Sequence, residues 1–455
     1  MQEMDHLTRR QSLVMGTGAL GGATLLGPAG RAQTMEAGVP VANVKPPAFA
    51  IEKGANLKVL RPAKFVAPDE TYFRANTKKF TETTGVPVAL DFISWEQLRP
   101  QTAVTANTGA GPDIIIGWSA DPQIYASKLV DLSDLGEYLG AKYGGWFDLA
   151  TVYGTKWGSG GKQWISIPLG GSSGPAVYRI SWLKEAGFDA IPNDLDQFLT
   201  LCQKLKQAGH PCGFALGHAV GDANGFCNWL LWSHGAYAID EHGKVALDSK
   251  ATIDALNYAR ELYPTMIPGT TSWNDASNNQ AFVAGEISLT YNGVSIYFVL
   301  KNSSDPKLRA IAADTNNALP PLGYAKQAPL SALVVNGMVF RHTKYPNAAK
   351  EYLRFMMEAP QYGPWLAGCL GYWSEPLKAY AKMTFWDSDP KIAAYKFGMN
   401  TPYYDGYKGP IGANSSALSA NYIIVDMFAK VATGNASAAS AARFAAGQAK
   451  RYYPG

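Results

Sequence analysis

The stretch Gly111-Pro112-Asp113-Ile114-Ile115-Ile116-Gly117-Trp118-Ser119-Ala120-Asp121 runs a short apolar segment straight into a polar turn that carries one large aromatic ring. An unbroken Ile run bounded by Gly-Pro and Gly-Trp reads as a strand buried on both faces, the pattern of a parallel strand in a covered sheet. Loops at the carboxyl ends of such strands are where α/β sheets receive ligands. Trp118 therefore either faces a ligand or packs into the core.

Outward from this strand, apolar spacing predicts further strands over 57–60 and 86–90 and amphipathic helices over 71–84 and 95–106, with Gly85 as a helix stop. Strands alternating with helices imply a mostly parallel sheet covered on both faces. The grammar resumes with strand-like segments at 165–168, 176–178 and 213–216. Helices are expected over 181–186, 194–208, 251–263, 348–358 and 417–432.

The chain of 455 residues exceeds what one hydrophobic core supports, and 47% apolar residues supply material for two lobes. A net charge of +4 without a dense Lys/Arg block lacks the electrostatic footprint of a nucleic-acid binder. Residues 1–32 contain Arg9-Arg10, an uncharged Gly-, Ala- and Leu-rich run, and the small-residue site Gly30-Arg31-Ala32. Together these predict a cleaved export signal of twin-arginine type, with ordinary secretion and a retained anchor left open. Residues 33–55, rich in Pro and Ala and without periodicity, read as a flexible tether. Export permits disulfides, and Cys212 with Cys227 is the favoured pair among Cys202, Cys212, Cys227 and Cys369.

Several segments together resemble the extracellular solute-binding proteins of bacterial ABC importers, in the sugar-binding group of maltose-binding-protein type. The likeness covers most of residues 57–455. It rests on Lys79-Phe80-Thr81-Glu82-Thr83-Thr84-Gly85-Val86, on the Gly-x-Gly-Pro-Asp ending at Asp113, and on Lys128-Leu129-Val130-Asp131-Leu132. It continues through Ile167-Pro168 ahead of Tyr178, Lys184-Glu185-Ala186-Gly187, the run Ala281 to Gly293, and Tyr345-Pro346-Asn347-Ala348-Ala349-Lys350.

The resemblance implies a two-lobe periplasmic binding protein fold of α/β class, each lobe a mostly parallel sheet flanked by helices, with a ligand cleft at the hinge. It divides the chain into a first lobe of residues 56–168 and 335–373 and a second of 169–334 and 374–455. It marks Trp118 and Asp121 as cleft residues of the first lobe and Ser172, Asn224, Asn421 and Tyr422 as cleft residues of the second. A flat aromatic with polar acceptors suits a sugar, which offers C–H faces and a rim of hydroxyls. Trp95, Trp232, Trp273, Tyr291 and Trp373 are further candidate stacking residues, and Asn292 a further hydrogen-bonding one. The chain departs from maltose-binding protein where Ser172 and Asn224 replace acidic residues, Ser295 and Asn421 replace tryptophans, and Val425 replaces an arginine. These departures point away from maltodextrin. Asp222 and Asn224 double as candidate helix caps.

The implied protein is a periplasmic monomer without cofactor, metal or turnover. It delivers a small neutral sugar, oligosaccharide or polyol to an ABC permease in the inner membrane. A non-sugar solute such as a phosphorylated polyol is the alternative ligand. The rival chemistry is a secreted esterase or carbohydrate-active enzyme using Ser172, since Gly170-Gly171-Ser172-Ser173-Gly174 matches a nucleophile elbow; Pro175 and a strand follow it, where an elbow needs a helix. His210, Cys212, His218, Cys227 and His234 have no zinc-site spacing.

Overall fold

A computed structural model describes residues 25–26, 32–325 and 327–454. The predicted export signal lies almost wholly outside the described residues. The strands are β1 (Leu25–Leu26), β2 (Ala32–Glu36), β3 (Val39–Ala42), β4 (Leu57–Pro62), β5 (Val88–Ile93), β6 (Ile114–Trp118), β7 (Ile167–Ser173), β8 (Ala176–Arg179), β9 (Leu289–Tyr291), β10 (Thr315–Ala318) and β11 (Ala332–Val339).

The first lobe is built on a five-stranded sheet in the order β5-β4-β6-β11-β7. β4 runs parallel to β5 and to β6, and β11 is antiparallel to both β6 and β7. All five residues of β6 are buried, as expected for an apolar strand at the sheet centre covered on both faces. The helices Ala67–Thr84, Trp95–Thr108, Pro346–Met357 and Ala359–Gly368 pack on this sheet or on one another. The second lobe holds the sheet β10-β8-β9 and a separate apolar core that includes Leu183, Phe198, Trp229, Leu256, Val425 and Phe428.

Three segments run side by side between the lobes. β7 pairs with β11 from Ala332↔Ser173 to Gly337↔Ile167, and Gly171 exchanges backbone hydrogen bonds with Ser374 at 3.0 and 2.8 Å. Gly171 is required there, because a Cβ would collide with the Met399 sulfur.

The structure corrects five expectations. Neither sheet is mostly parallel: two of the four first-lobe pairings are antiparallel and the second-lobe sheet is antiparallel throughout, because β11 and the second-lobe strands come from distant segments rather than from consecutive strand-helix-strand units. Segment 213–216 is no strand: Gly213 and Leu216 donate singly to Leu289 and Thr270, leaving no ladder. The helix expected over 417–432 is two, Ala413–Ala420 and Ile423–Ala432, broken where Tyr422 takes φ 52°. Residues 33–55 are packed rather than a free tether. β2 and β3 form a hairpin whose Val39 and Val41 are buried, and the Glu52 carboxylate accepts the amides of Asn347 and Ala348 at 2.9 and 3.1 Å. Those amides open the helix Pro346–Met357 and lack acceptors within it, so Glu52 anchors the segment. Among the described residues no helix is long and apolar enough to cross a membrane. The four cysteines are buried free thiols, so Cys212 and Cys227 are not joined.

Candidate functional site

The lobes meet around a cavity of about 50 Å³. The first lobe supplies an aromatic wall. The helix Trp95–Thr108 begins with Trp95, whose indole N–H is fixed on the Ala63 carbonyl at 2.9 Å and whose ring meets Phe65 edge-on at 4.8 Å. Arg99, one turn further along, also lines the cavity. Its Nε donates to both carboxylate oxygens of Asp121 at 3.1 and 3.0 Å, while Nη1 is buried without a partner. Ser119 follows β6 at φ 29°, a strained turn stitched down by Asn336, whose amide donates to the Ser119 carbonyl at 2.9 Å.

The second lobe supplies polar groups. Asp275 accepts the amides of Val220, Gly221 and Asp222 at 2.6, 2.8 and 2.8 Å. It thereby caps the helix Asp222–Ser233 and fills its own lone pairs. Asp222 then presents Oδ2 to the cavity wall, buried and without a partner. Burial, followed by the neighbouring Asp275 charge, pushes the Asp222 carboxyl well above the ordinary carboxylate range.

Tyr291, at the end of β9, is 5% exposed, and its hydroxyl has no hydrogen-bond partner. The backbone at Ser331 faces this hydroxyl without reaching hydrogen-bond geometry. The ring is wedged against Gly174 and Gly225, and a Cβ on Gly174 would collide with it. Asn292 follows and donates to Asn279 at 3.2 Å and Ser295 at 3.3 Å. Ser173, on the crossing strand β7, is the fourth lining residue with an unpartnered buried polar atom.

Five of the twelve residues expected at the site line this cavity: Trp95, Ser172, Asn224, Tyr291 and Asn292. Asn224 sends its amide to the Val220 carbonyl at 3.1 Å. The other seven do not. Trp118 is fully buried behind Trp95, with ring centroids 4.6 Å apart. Asp121 is buried as the Arg99 partner and accepts the Ser416 hydroxyl at 2.8 Å, so it joins the lobes at the rim. Trp232 stacks on Tyr403 at 4.8 Å inside the second lobe. Trp273 packs against both lobes' apolar cores. Trp373 is pinned in the first lobe by its indole N–H on Asp69 at 3.0 Å, the carboxylate that also pairs with buried Arg61 at 2.6 Å. Asn421 is exposed and bonds its own helix at Ala417, while Tyr422 stacks on His218 at 4.3 Å.

The sequence reading passed over Phe65, Arg99, Asp275 and Asp405, and it took Asp222 only as a cap. Helix-embedded Arg99 carries no local motif. Asp275 is recognisable only once the chain has folded back to the amides 53 to 55 residues away. Ser172 lies within extended β7 opposite Leu333, not on a strand-to-helix turn, so the elbow geometry is absent. Among the described residues no group of three or more His, Cys, Asp or Glu is placed to hold a metal.

Two α/β lobes joined by three neighbouring segments and closed around a polar cavity have the architecture of a binding protein. The chain belongs to the bacterial extracellular solute-binding proteins, matching that family over residues 75–394. It is similar to YcjN of Escherichia coli K12, named as an ABC transporter periplasmic-binding protein, at 25% identity over 237 residues. That alignment takes in 51% of this chain and only about half (53%) of the relative's length. Two solved structures share the fold. T. maritima MalE3 with maltose bound superposes with TM-score 0.72 at 19% identity, covering 88% of this chain and 100% of that one. A solute-binding protein of Agrobacterium vitis S4 with bound D-mannitol gives 0.68 at 16%, covering 88% and 98%.

Proposed function

We propose that the protein is the solute-capturing component of an ABC import system, holding a monosaccharide- or polyol-sized ligand between its lobes and presenting it to a membrane permease. The observation that carries this reading is that three residues lining one cavity, Arg99, Asp222 and Tyr291, each keep a buried polar atom without a partner: Nη1, Oδ2 and Oη. Buried polar atoms left without partners cost about 1–3 kcal/mol each, and natural cores avoid them. A ligand with several hydroxyls satisfies donors and acceptors together, while Trp95 and Phe65 cover its C–H face.

The scale of the cavity points the same way. Some 50 Å³ is a few water positions, at about 10–15 Å³ for each. That is far less than a disaccharide needs, so the polyol of the Agrobacterium neighbour lies nearer in size than maltose does. A phosphorylated solute fits less well, because Arg99 is the cationic side chain at the wall and Asp121 already engages it. Export of the chain into the periplasm and delivery to a permease are part of the proposal.

The test is thermal unfolding against monosaccharides, polyols, disaccharides and sugar phosphates. A true ligand at a hundred times its Kd adds about 2.7 kcal/mol, which raises the midpoint by a few degrees. A shift given only by sugar phosphates, or only by disaccharides and longer sugars, would defeat the reading.

A further inference from the structure

Carboxylates outnumber the one guanidinium on the wall of the cavity. Asp222, Asp275 and Asp405 line it beside Arg99. Asp121 holds Arg99, and Glu96, on the same helix as Arg99, adds to the charge around Asp275. Asp275 is fully committed to three backbone amides, so it contributes charge but little free hydrogen-bonding capacity. Asp222 is its opposite: one carboxylate oxygen is buried without a partner, and the Asp275 charge lies nearby.

A neutral hydroxyl at Asp222 would fill the vacant hydrogen bond and leave the cost of ionising Asp222 beside Asp275 in place. An ammonium group removes both. The walls suit a cation as well, since aromatic side chains of Trp95, Tyr291 and Tyr372 surround the same space. The buried, unpartnered Tyr291 hydroxyl marks this end of the cavity as one that receives a polar ligand group.

We propose that the solute bears a protonated amine on a polyhydroxylated ring or chain, and that Asp222 receives that amine. This rests on the cavity being the solute site. Asp222 faces the Asp275 charge and the Asn278 amide, with Tyr291 and Tyr372 close by; Glu96 adds to the charge around Asp275, and Arg99 is the cation on the cavity wall. Burial holds the Asp222 carboxyl above its ordinary range, so ionising it against an ammonium expels the proton it carries, and affinity for the amine rises with pH up to the amine's own pKa.

The experiment is calorimetric titration of the whole protein with matched pairs: D-glucose and D-glucosamine, D-sorbitol and 1-amino-1-deoxy-D-sorbitol, glycerol and 2-amino-1,3-propanediol. The expected result is that an amine binds at least tenfold more tightly than its neutral partner at pH 7.5. That advantage should shrink towards pH 5, with proton release visible as a dependence of the heat on buffer ionisation. Asp222→Asn should lose the advantage, bringing each amine and its own neutral partner to within threefold of one another. Equal or tighter binding of the neutral members overturns the amine assignment and leaves the solute site standing. Survival of the preference in Asp222→Asn overturns the role of Asp222. The proton release is read on the parent protein, so it stands even if that variant misfolds. Failure of every member of every pair withdraws the solute-site reading and this one together.

Discussion

Trp95 and Trp118 pack ring against ring at 4.6 Å, and only the first reaches the cavity. The pair therefore separates binding from stability. Trp118→Ala removes a fully buried side chain and should lower unfolding free energy by about 3–5 kcal/mol. Trp118→Phe should recover most of that, because the indole N–H of Trp118 has no partner to lose. Neither change should move ligand affinity by more than about threefold. Trp95→Phe keeps much of the packing but alters the cavity wall, and should weaken binding by about tenfold, or 1.4 kcal/mol. Urea unfolding beside titration of the same variants checks all three; a large affinity loss from Trp118→Phe would reverse the assignment. The run from Ile114 to Trp118 announced a buried strand without saying which way its last ring turns. That direction is set by Trp95, which belongs to a different element and is placed by the Ala63 carbonyl.

At the scale of elements, the crossing strand β7 and the turn after it hold the second-lobe half of the site. Gly170-Gly171-Ser172-Ser173-Gly174 looks from sequence like a catalytic turn or a hinge. In the fold, Gly171 and Gly174 are small because Met399 and the Tyr291 ring press against them. Gly174→Ala should displace Tyr291, lower stability by about 1–3 kcal/mol through overpacking, and abolish binding. Retention of full affinity in a folded Gly174→Ala protein would show that Tyr291 does not contact the ligand. Most first-lobe elements were legible because each carries its own period: a buried Ile strand, amphipathic helices, Gly stops. The second-lobe sheet was not. Its strands are only four, three and four residues long and drawn from three distant segments, so their antiparallel pairing leaves no local trace. The break at Tyr422 was equally hidden, since the apolar spacing carries on through it while the backbone does not.

Across the whole molecule, contacts between the lobes carry a titratable group. Ser416 donates to Asp121, and the Asp405 amide donates to the Tyr153 hydroxyl at 2.9 Å, so these bonds fasten the 405–416 region to the first lobe. The Asp405 carboxyl is pushed up to about 6, chiefly by burial, with Arg99 opposing the rise and Asp121 adding to it. In the hinge motion that the proposed solute capture requires, opening the lobes hydrates this carboxyl and returns it towards its ordinary value near 3.9. Its pKa is raised in the closed form, so that form binds the extra proton between about pH 4 and 6, and closure weakens as pH climbs through that window. Without ligand, the ratio of closed to open molecules should be about tenfold higher at pH 5 than at pH 7.5. Small-angle X-ray scattering would register this as a smaller radius of gyration at the lower pH. Asp405→Asn keeps the size of the side chain and removes the proton, so it should be equally compact at both. A parent protein with pH-independent dimensions, or an Asp405→Asn variant that still expands at pH 7.5, would place the control of closure elsewhere in the cleft.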